Sequence, residues 1–187
     1  AARAVVAAVG GGQRVDGLEA PHTGRDRELR LLKELFHAAE ESRRPRLVVV
    51  DGEPGVGKSR LVWEFEKYID GLTDTVRWHR GRCLSYGDGV AFWALSEAVR
   101  ARLGLTEADQ GELVAARLEA GLAQFVPDPG ERDWLRPRLA SLLGLDQVGG
   151  FAREDLFAAW TTFLERVGEG DHPVVLVVDD AQYADDG

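Results

Sequence analysis

The sequence lacks several features that would indicate other classes of protein. Its single cysteine, Cys83, excludes a disulfide within the chain and suits a reducing compartment. No apolar run approaches the roughly 20 residues that a membrane-spanning helix needs. The formal net charge is −9, so no general basic field attracts nucleic acid or anionic lipid. These absences predict a cytoplasmic protein that binds neither nucleic acid nor membrane through this segment.

Methionine is also absent, even at position 1, which predicts that the 187 residues are an internal piece of a longer protein. The length allows one hydrophobic core and is short for two complete domains. Residues 1–20 contain a brief apolar stretch followed by three glycines, which indicates a linker or tail from an upstream region. We therefore expect one domain, over residues 21–187.

What the chain does contain is a complete phosphate-loop pattern, G-x-x-x-x-G-K-S, at Gly52-Glu53-Pro54-Gly55-Val56-Gly57-Lys58-Ser59. A predicted strand at 46–51 precedes it and an apolar helix follows. The glycines let successive N–H groups turn inward around an anion, and the helix N-terminus adds positive potential. We expect Lys58 to face the β- and γ-phosphates, Ser59 to contact Mg²⁺ and Arg60 to extend the binding segment. The alternative is a glycine-rich turn without a ligand.

A second pattern lies near the other end of the chain, where five apolar residues lead directly into Asp179 and Asp180. The run predicts a strand buried on both faces of a parallel sheet, with its carboxylates at the ligand-binding edge. This is the Walker B arrangement. We expect Asp179 to hold Mg²⁺ through water, and Asp180 to orient the attacking water as a catalytic residue alongside Lys58. A solvated acidic turn is the alternative.

The remaining elements complete a predicted α/β fold, the three-layer αβα fold of P-loop NTPases. Parallel strands are expected at about 46–51, 75–82 and 173–178, with helices on both faces of the sheet. A helical insertion is expected at about 105–145, broken by residues 127–130. Residues 23–26 look like a capping box, and residues 85–89 read as a loop.

His79 and Cys83, four residues apart, do not predict a metal site. On a strand they share a face but lie too far apart for one ion, and the sequence offers no second pair. The tryptophans and phenylalanines at helical spacing are expected in the core. The cluster of Arg43, Arg44 and Arg46 is expected to be a solvated loop.

Beyond these motifs, the chain resembles a known family. Residues 24–29 resemble the GRxxEL entry of AAA-type ATPase modules in the STAND group of signal-transduction ATPases. Residues 31–37, 63–71 and 78–95, the last including 80–83 and 86–89, resemble the ATPase region of bacterial multidomain adenylate/guanylate cyclases, which is similar to that of large LuxR-type regulators. Residues 179–185 look like the family's Walker B segment, with Tyr183 in place of the more usual Trp.

The resemblance implies further features of the site and of the sheet. It places Gly24 and Arg25 close to the adenine, which favours ATP. In the family, a strand that follows Walker B lies between the phosphate-loop strand and the Walker B strand. The sequence is truncated after the Walker B strand, so we expect a gap in the sheet at that position. Hydrolysis by this piece is then expected to be weak.

Three functions remain open from the sequence. The leading hypothesis is an ATP- and Mg²⁺-binding, ATP-hydrolysing regulatory module joined to an effector in the same polypeptide, either a cyclase or a DNA-binding domain, with possible nucleotide-dependent self-association. A non-hydrolysing nucleotide switch or scaffold is the second. A P-loop kinase acting on a small molecule is the third, and the sequence shows no acceptor-binding or lid pattern for it.

Overall fold

The computed structural model describes residues 3–8, 24–73, 75–83, 92–145, 150–169 and 172–184. Within these ranges four strands form one sheet: β1 (Arg3–Ala8), β2 (Arg46–Val50), β3 (Arg77–Arg82) and β4 (Val174–Asp179). Their order across the sheet is β2-β1-β4-β3, and every neighbouring pair is parallel. The three strands expected from the sequence are therefore present, in one parallel sheet.

β1 was not expected, and its position corrects two predictions. Its backbone pairs with β2 on one side and with β4 on the other. Residues 3–8 are thus a central strand and not part of a linker, and the expected gap between the phosphate-loop strand and the Walker B strand is absent. The physical reason is that, without β1, the facing edges of β2 and β4 would have unpaired backbone N–H and C=O groups. A short extended segment between them forms hydrogen bonds with both strands.

Helices cover both faces of the sheet, as predicted. α1 (Asp26–Ser42) and α2 (Lys58–Asp70) pack on one face. The other face carries a larger helical layer, made of α3 (Trp93–Arg102), α4 (Glu112–Phe125), α5 (Pro129–Leu142) and α6 (Arg153–Val167). A short 3₁₀ helix, Ala181–Tyr183, follows β4. Across the described ranges, no helix combines the length and apolarity that crossing a membrane requires.

β4 joins the two helical layers because its side chains alternate between them. Val175 and Val177 pack into the cluster with α1 and α2, whereas Val174 and Leu176 pack into the cluster with α3–α6. All four side chains are at most 4% exposed. The apolar run seen in the sequence is thus explained by burial on both faces.

Local sequence accounts for the boundary between α4 and α5 but not for the start of α1. The Asp128 side chain accepts a hydrogen bond from the Glu131 N–H at 2.6 Å, and Pro129 occupies the first position of α5, so the predicted break near residues 127–130 separates α4 from α5. The capping box predicted for α1 is wrong, because Arg25 is the N-cap and makes no side-chain cap bond. The loop predicted at residues 85–89 lies outside the described residues.

Gly81 in β3 allows α3 to lie directly against the sheet. A Cβ at this position would overlap the backbone of Ala94, with the carbonyl oxygen as the nearest atom. Backbone atoms cannot rotate away as a flexible side chain can, so α3 would have to move as a unit. The glycine in the segment 80–83 therefore has a packing role.

We predict that Gly81→Ala lowers the free energy of unfolding by about 3 kcal/mol, since it overpacks a strand-to-helix contact. Urea denaturation of the purified chain measures the change. Gly150→Ala is the matched control, because a Cβ there meets no described atom within 4 Å. Equal losses in the two variants would contradict the packing role.

His79 is a buried histidine on the face of β3 that meets the α3–α6 layer. It is 2% exposed, and neither ring nitrogen has a hydrogen-bond partner among the described residues. Burial, and then the nearby positive charges of Arg102 and Arg77, lower the pKa of His79 to about 4 from its ordinary 6.5. The side chain is therefore neutral in the folded protein at pH 7.

We predict that this histidine makes the fold acid-sensitive. Between pH 6.5 and pH 4 the unfolded chain binds a proton at residue 79 and the folded chain does not, so stability falls as the pH falls. A shift of this size corresponds to a loss of about 3 kcal/mol across that window. Urea denaturation at a series of pH values should show a shallower loss for His79→Leu. Identical pH profiles for the two proteins would refute the assignment.

Candidate functional site

The segment between β2 and α2 is an exposed loop whose glycines adopt backbone conformations that other residues rarely take. The φ angles are 151° at Gly52, 81° at Gly55 and 93° at Gly57, and Gly57 is the N-cap of α2. Such angles let consecutive N–H groups point to one side of the chain. The local geometry therefore agrees with the anion-binding pattern in the sequence. The other loop residues, Glu53, Pro54 and Val56, are exposed.

Lys58 places a buried positive charge within this loop. It is the first residue of α2 and is only 2% exposed. Its ammonium donates hydrogen bonds to the carbonyl oxygens of Gly52, at 2.6 Å, and Glu53, at 2.9 Å. Neutral carbonyls are weaker partners for a cation than an anion would be. The loop is thus suited to exchange these contacts for contacts with a phosphate.

The next two residues behave differently from each other. Ser59 lies half-buried in the first turn of α2. The Arg60 side chain is directed along the helix, where Nε donates to the Glu64 carboxylate at 2.8 Å and the guanidinium lies 4.3 Å from the centre of the Trp63 ring. In the predicted binding segment, Arg60 therefore offers its backbone N–H in the first helical turn rather than its side chain.

Gly24 and Arg25 lie at the start of α1, and the fold brings this point to the phosphate loop. Gly24 has a φ of 85°, and Arg25 is the N-cap of the helix. The Nε atom of Arg25 lies 3.8 Å from the position that a Cβ of Gly57 would occupy. The two segments, more than thirty residues apart in the sequence, are therefore neighbours in space.

The two acids of the Walker B pattern occupy unlike environments. Asp179 is the last residue of β4 and is 3% exposed. Asp180 follows in a left-handed conformation, with φ 57° and ψ 35°, and begins the turn into the 3₁₀ helix. Because the strands are parallel, these carboxylates and the phosphate loop lie at the same edge of the sheet.

Two arginines of β3 face the two acids, and the sequence analysis assigned neither a role in the site. Nε of Arg80 donates to Oδ2 of Asp179 at 2.7 Å, and Nη2 of Arg80 donates to the same oxygen. Arg82 lies farther from its partner, with Nε 3.7 Å from Oδ2 of Asp180. In the register of β3 against β4, Arg80 is opposite Val177 and Arg82 is opposite Asp179, so both arginines lie on the face of the sheet that carries Asp179. The sequence alone does not give this register, because the two strands are far apart in the chain.

The comparison with protein families decides the class of the chain. A family model described as AAA ATPase domain matches residues 21–187. The chain belongs to this family. No curated protein and no solved structure matches it. The matched region contains every candidate residue of the AAA ATPase site, from Gly24 to Asp180.

An AAA ATPase domain uses a nucleotide, usually with Mg²⁺, and the residues present fit such an ion. Oδ1 of Asp179 is buried and has no hydrogen-bond partner in the described structure, which leaves a carboxylate oxygen for a cation. The hydroxyl of Ser59 and the carboxylate of Asp179 are oxygen groups of the kind that Mg²⁺ prefers. The described ranges contain no cluster of three or more His, Cys, Asp or Glu side chains that could hold a metal. Water and phosphate would complete the coordination, as is usual for Mg²⁺.

Glu97 of α3 is another acid near the Walker B end of the AAA ATPase sheet. One of its carboxylate oxygens accepts a hydrogen bond from the Arg82 N–H at 2.6 Å. Burial raises the pKa of Glu97, and this bond to Arg82 acts in the opposite direction. No pattern in the sequence marks this residue, because α3 and β3 meet only in the folded chain.

Proposed function

We propose that this AAA ATPase domain is the ATP-binding and ATP-hydrolysing regulatory module of a multidomain signalling protein. The observation that carries the proposal is the buried ammonium of Lys58 inside a loop of positive-φ glycines. Within the described part of the chain, the hydrogen-bond partners of this buried cation are neutral carbonyls of a glycine-rich loop. Such a cation is suited to an anion, and a triphosphate matches the loop pattern.

The roles of the individual residues follow from their positions. The backbone N–H groups of residues 52–60, apart from Pro54, which has none, would bind the phosphates, with Lys58 directed to the terminal ones. Ser59 and Asp179 would hold Mg²⁺, which when bound neutralises phosphate charge. Asp180, beyond the end of β4, would orient the attacking water. Gly24 and Arg25, next to the loop, would lie near the base and favour ATP.

The alternative is a nucleotide switch or scaffold that does not hydrolyse ATP. One observation favours it: both Walker B acids face arginines in this structure, and a carboxylate held in this way is less available to a metal or a water molecule. Turnover would then require these contacts to be released. The two functions are separated by the effect of Asp180 on hydrolysis.

The effector is proposed only from the resemblance of residues 31–37, 63–71 and 78–95 to the ATPase region of the cyclases. We place the module in a cytoplasmic protein whose nucleotide state controls an attached adenylate/guanylate cyclase, with a LuxR-type DNA-binding regulator as the alternative. Nucleotide-dependent self-association is the proposed means of control. Sequencing the complete gene identifies the attached domain.

Lys58→Ala should weaken ATP binding by on the order of 100-fold, because it removes a buried charge directed to the phosphates. The fold should be retained, since the two carbonyls that lose a donor belong to exposed residues that water can reach. Calorimetric titration with ATP measures the affinity, and circular dichroism checks the fold. Lys67→Ala, in the last turn of the same helix, is the control. Equal ATP affinity in the two variants would rule out the phosphate role.

Asp180→Asn should leave ATP affinity within about twofold of wild type and reduce phosphate release by about 100-fold, the scale of a lost general base or water-orienting group. The assay is phosphate release from Mg²⁺-ATP at saturation by the complete protein. Binding by the same variant serves as the internal control. Unchanged turnover would show that Asp180 is not catalytic, whereas no turnover in wild type would favour the nucleotide switch.

A further inference from the structure

The Arg80–Asp179 pair concentrates two donors on one oxygen of the carboxylate. Nε and Nη2 of the guanidinium both bind Oδ2, while Oδ1, also buried, has no partner among the described residues. The Asp179 side chain is 5% exposed and that of Arg80 is 32% exposed. The carboxylate is therefore fixed in the core, and the arginine reaches it from the surface.

Arg80 supplies the counter-charge that a buried carboxylate needs. An ionised carboxylate removed from water is strongly destabilising unless it is paired, and loss of its partner costs more than the pair contributes. Lys58, whose side chain is buried at the phosphate loop, directs its ammonium to the carbonyls of Gly52 and Glu53. In this structure the charge of Asp179 thus depends on β3 rather than on the phosphate loop.

A metal ion on Asp179 would conflict with this arginine. A dication bound to either carboxylate oxygen would lie within a few ångströms of the guanidinium, and like charges at that distance repel strongly in a site largely removed from water. Arg80 and Mg²⁺ are therefore competitors for one carboxylate, even though two oxygens are present.

The position of Arg80 at the surface allows its guanidinium to move away from Asp179. β3 is the edge strand of the described sheet, and a third of the Arg80 side chain is already in contact with solvent. Rotation about its side-chain bonds can carry the guanidinium into water without moving the backbone pairing between β3 and β4. Asp179, at the end of a buried strand, has no such freedom.

We propose that Arg80 neutralises the charge of Asp179 when no metal is bound, and that its guanidinium must leave the carboxylate before Mg²⁺ can be held there. Arg80 then sets the Mg²⁺ concentration at which the site fills. It is a positioning residue, since it acts through Asp179. The inference rests on the proposed Mg²⁺-nucleotide function of this site.

The test uses Mg²⁺ alone, without nucleotide, and follows the melting temperature of the full chain as Mg²⁺ is added at constant ionic strength. In EDTA, Arg80→Gln should melt about 10 °C below wild type, because it leaves a buried unpaired charge. Added Mg²⁺ should restore the lost stability, with a midpoint at least about tenfold lower than in wild type. A purely structural role for Arg80 would not tighten Mg²⁺ binding.

Three variants keep the test decisive. Arg82→Gln makes the same change in charge on the same strand and should shift the midpoint less than about twofold, since Arg82 is 51% exposed and faces the other acid. Arg80→Lys, which keeps the charge, should resemble wild type. Asp179→Asn should abolish the Mg²⁺ response and remove the stability cost of adding Arg80→Gln.

Two results for Arg80→Gln would overturn the proposal. One is a Mg²⁺ midpoint that is unchanged or higher than in wild type, and the other is a variant that stays unfolded at saturating Mg²⁺.

Titration with ATP in EDTA separates this inference from the proposed function. If wild type binds ATP and the Mg²⁺ midpoint of Arg80→Gln does not fall, the arginine inference fails and the nucleotide function stands. If wild type binds no ATP, the proposed function fails, and the Mg²⁺ titration still reports on the Arg80–Asp179 pair.

Discussion

The rest of the structure depends on a carboxylate at the end of a strand that is buried on both faces. β4 carries apolar side chains into both helical layers and then ends in Asp179, which stays inside. An acid at that depth must have a partner, and the neighbouring strand provides it through Arg80. The packing that stabilises the sheet thus also determines the electrostatics of the site.

In this structure the charged side chains of the site lie next to other groups of the protein that balance them. The ammonium of Lys58 binds loop carbonyls, Asp179 binds Arg80, and Asp180 lies near Arg82. A triphosphate with Mg²⁺ would have to exchange some of these contacts for its own. Binding of nucleotide is therefore expected to alter β3 and the loop together.

Sequence reasoning was most successful where a pattern is local. The phosphate loop, the buried run before Asp179 and the break between α4 and α5 each depend on residues within one short segment, and the structure has them at the expected places. It failed at residues 3–8, because a segment of one arginine and five alanines or valines, followed closely by glycines, can be a linker or a strand. Such a segment becomes a strand when two neighbouring strands, here β2 and β4, offer it unpaired backbone N–H and C=O groups.

The sequence by itself determined the class of the site, because the G-x-x-x-x-G-K-S spacing and the acids after an apolar run dictate backbone angles and charges locally. The tertiary structure decided the strand order and the partners of the acids. Arg80 and Asp179 are 99 residues apart, and no local pattern couples residues at that separation. Their contact exists because parallel pairing sets the register of β3 on β4, and burial then requires a cation beside the carboxylate.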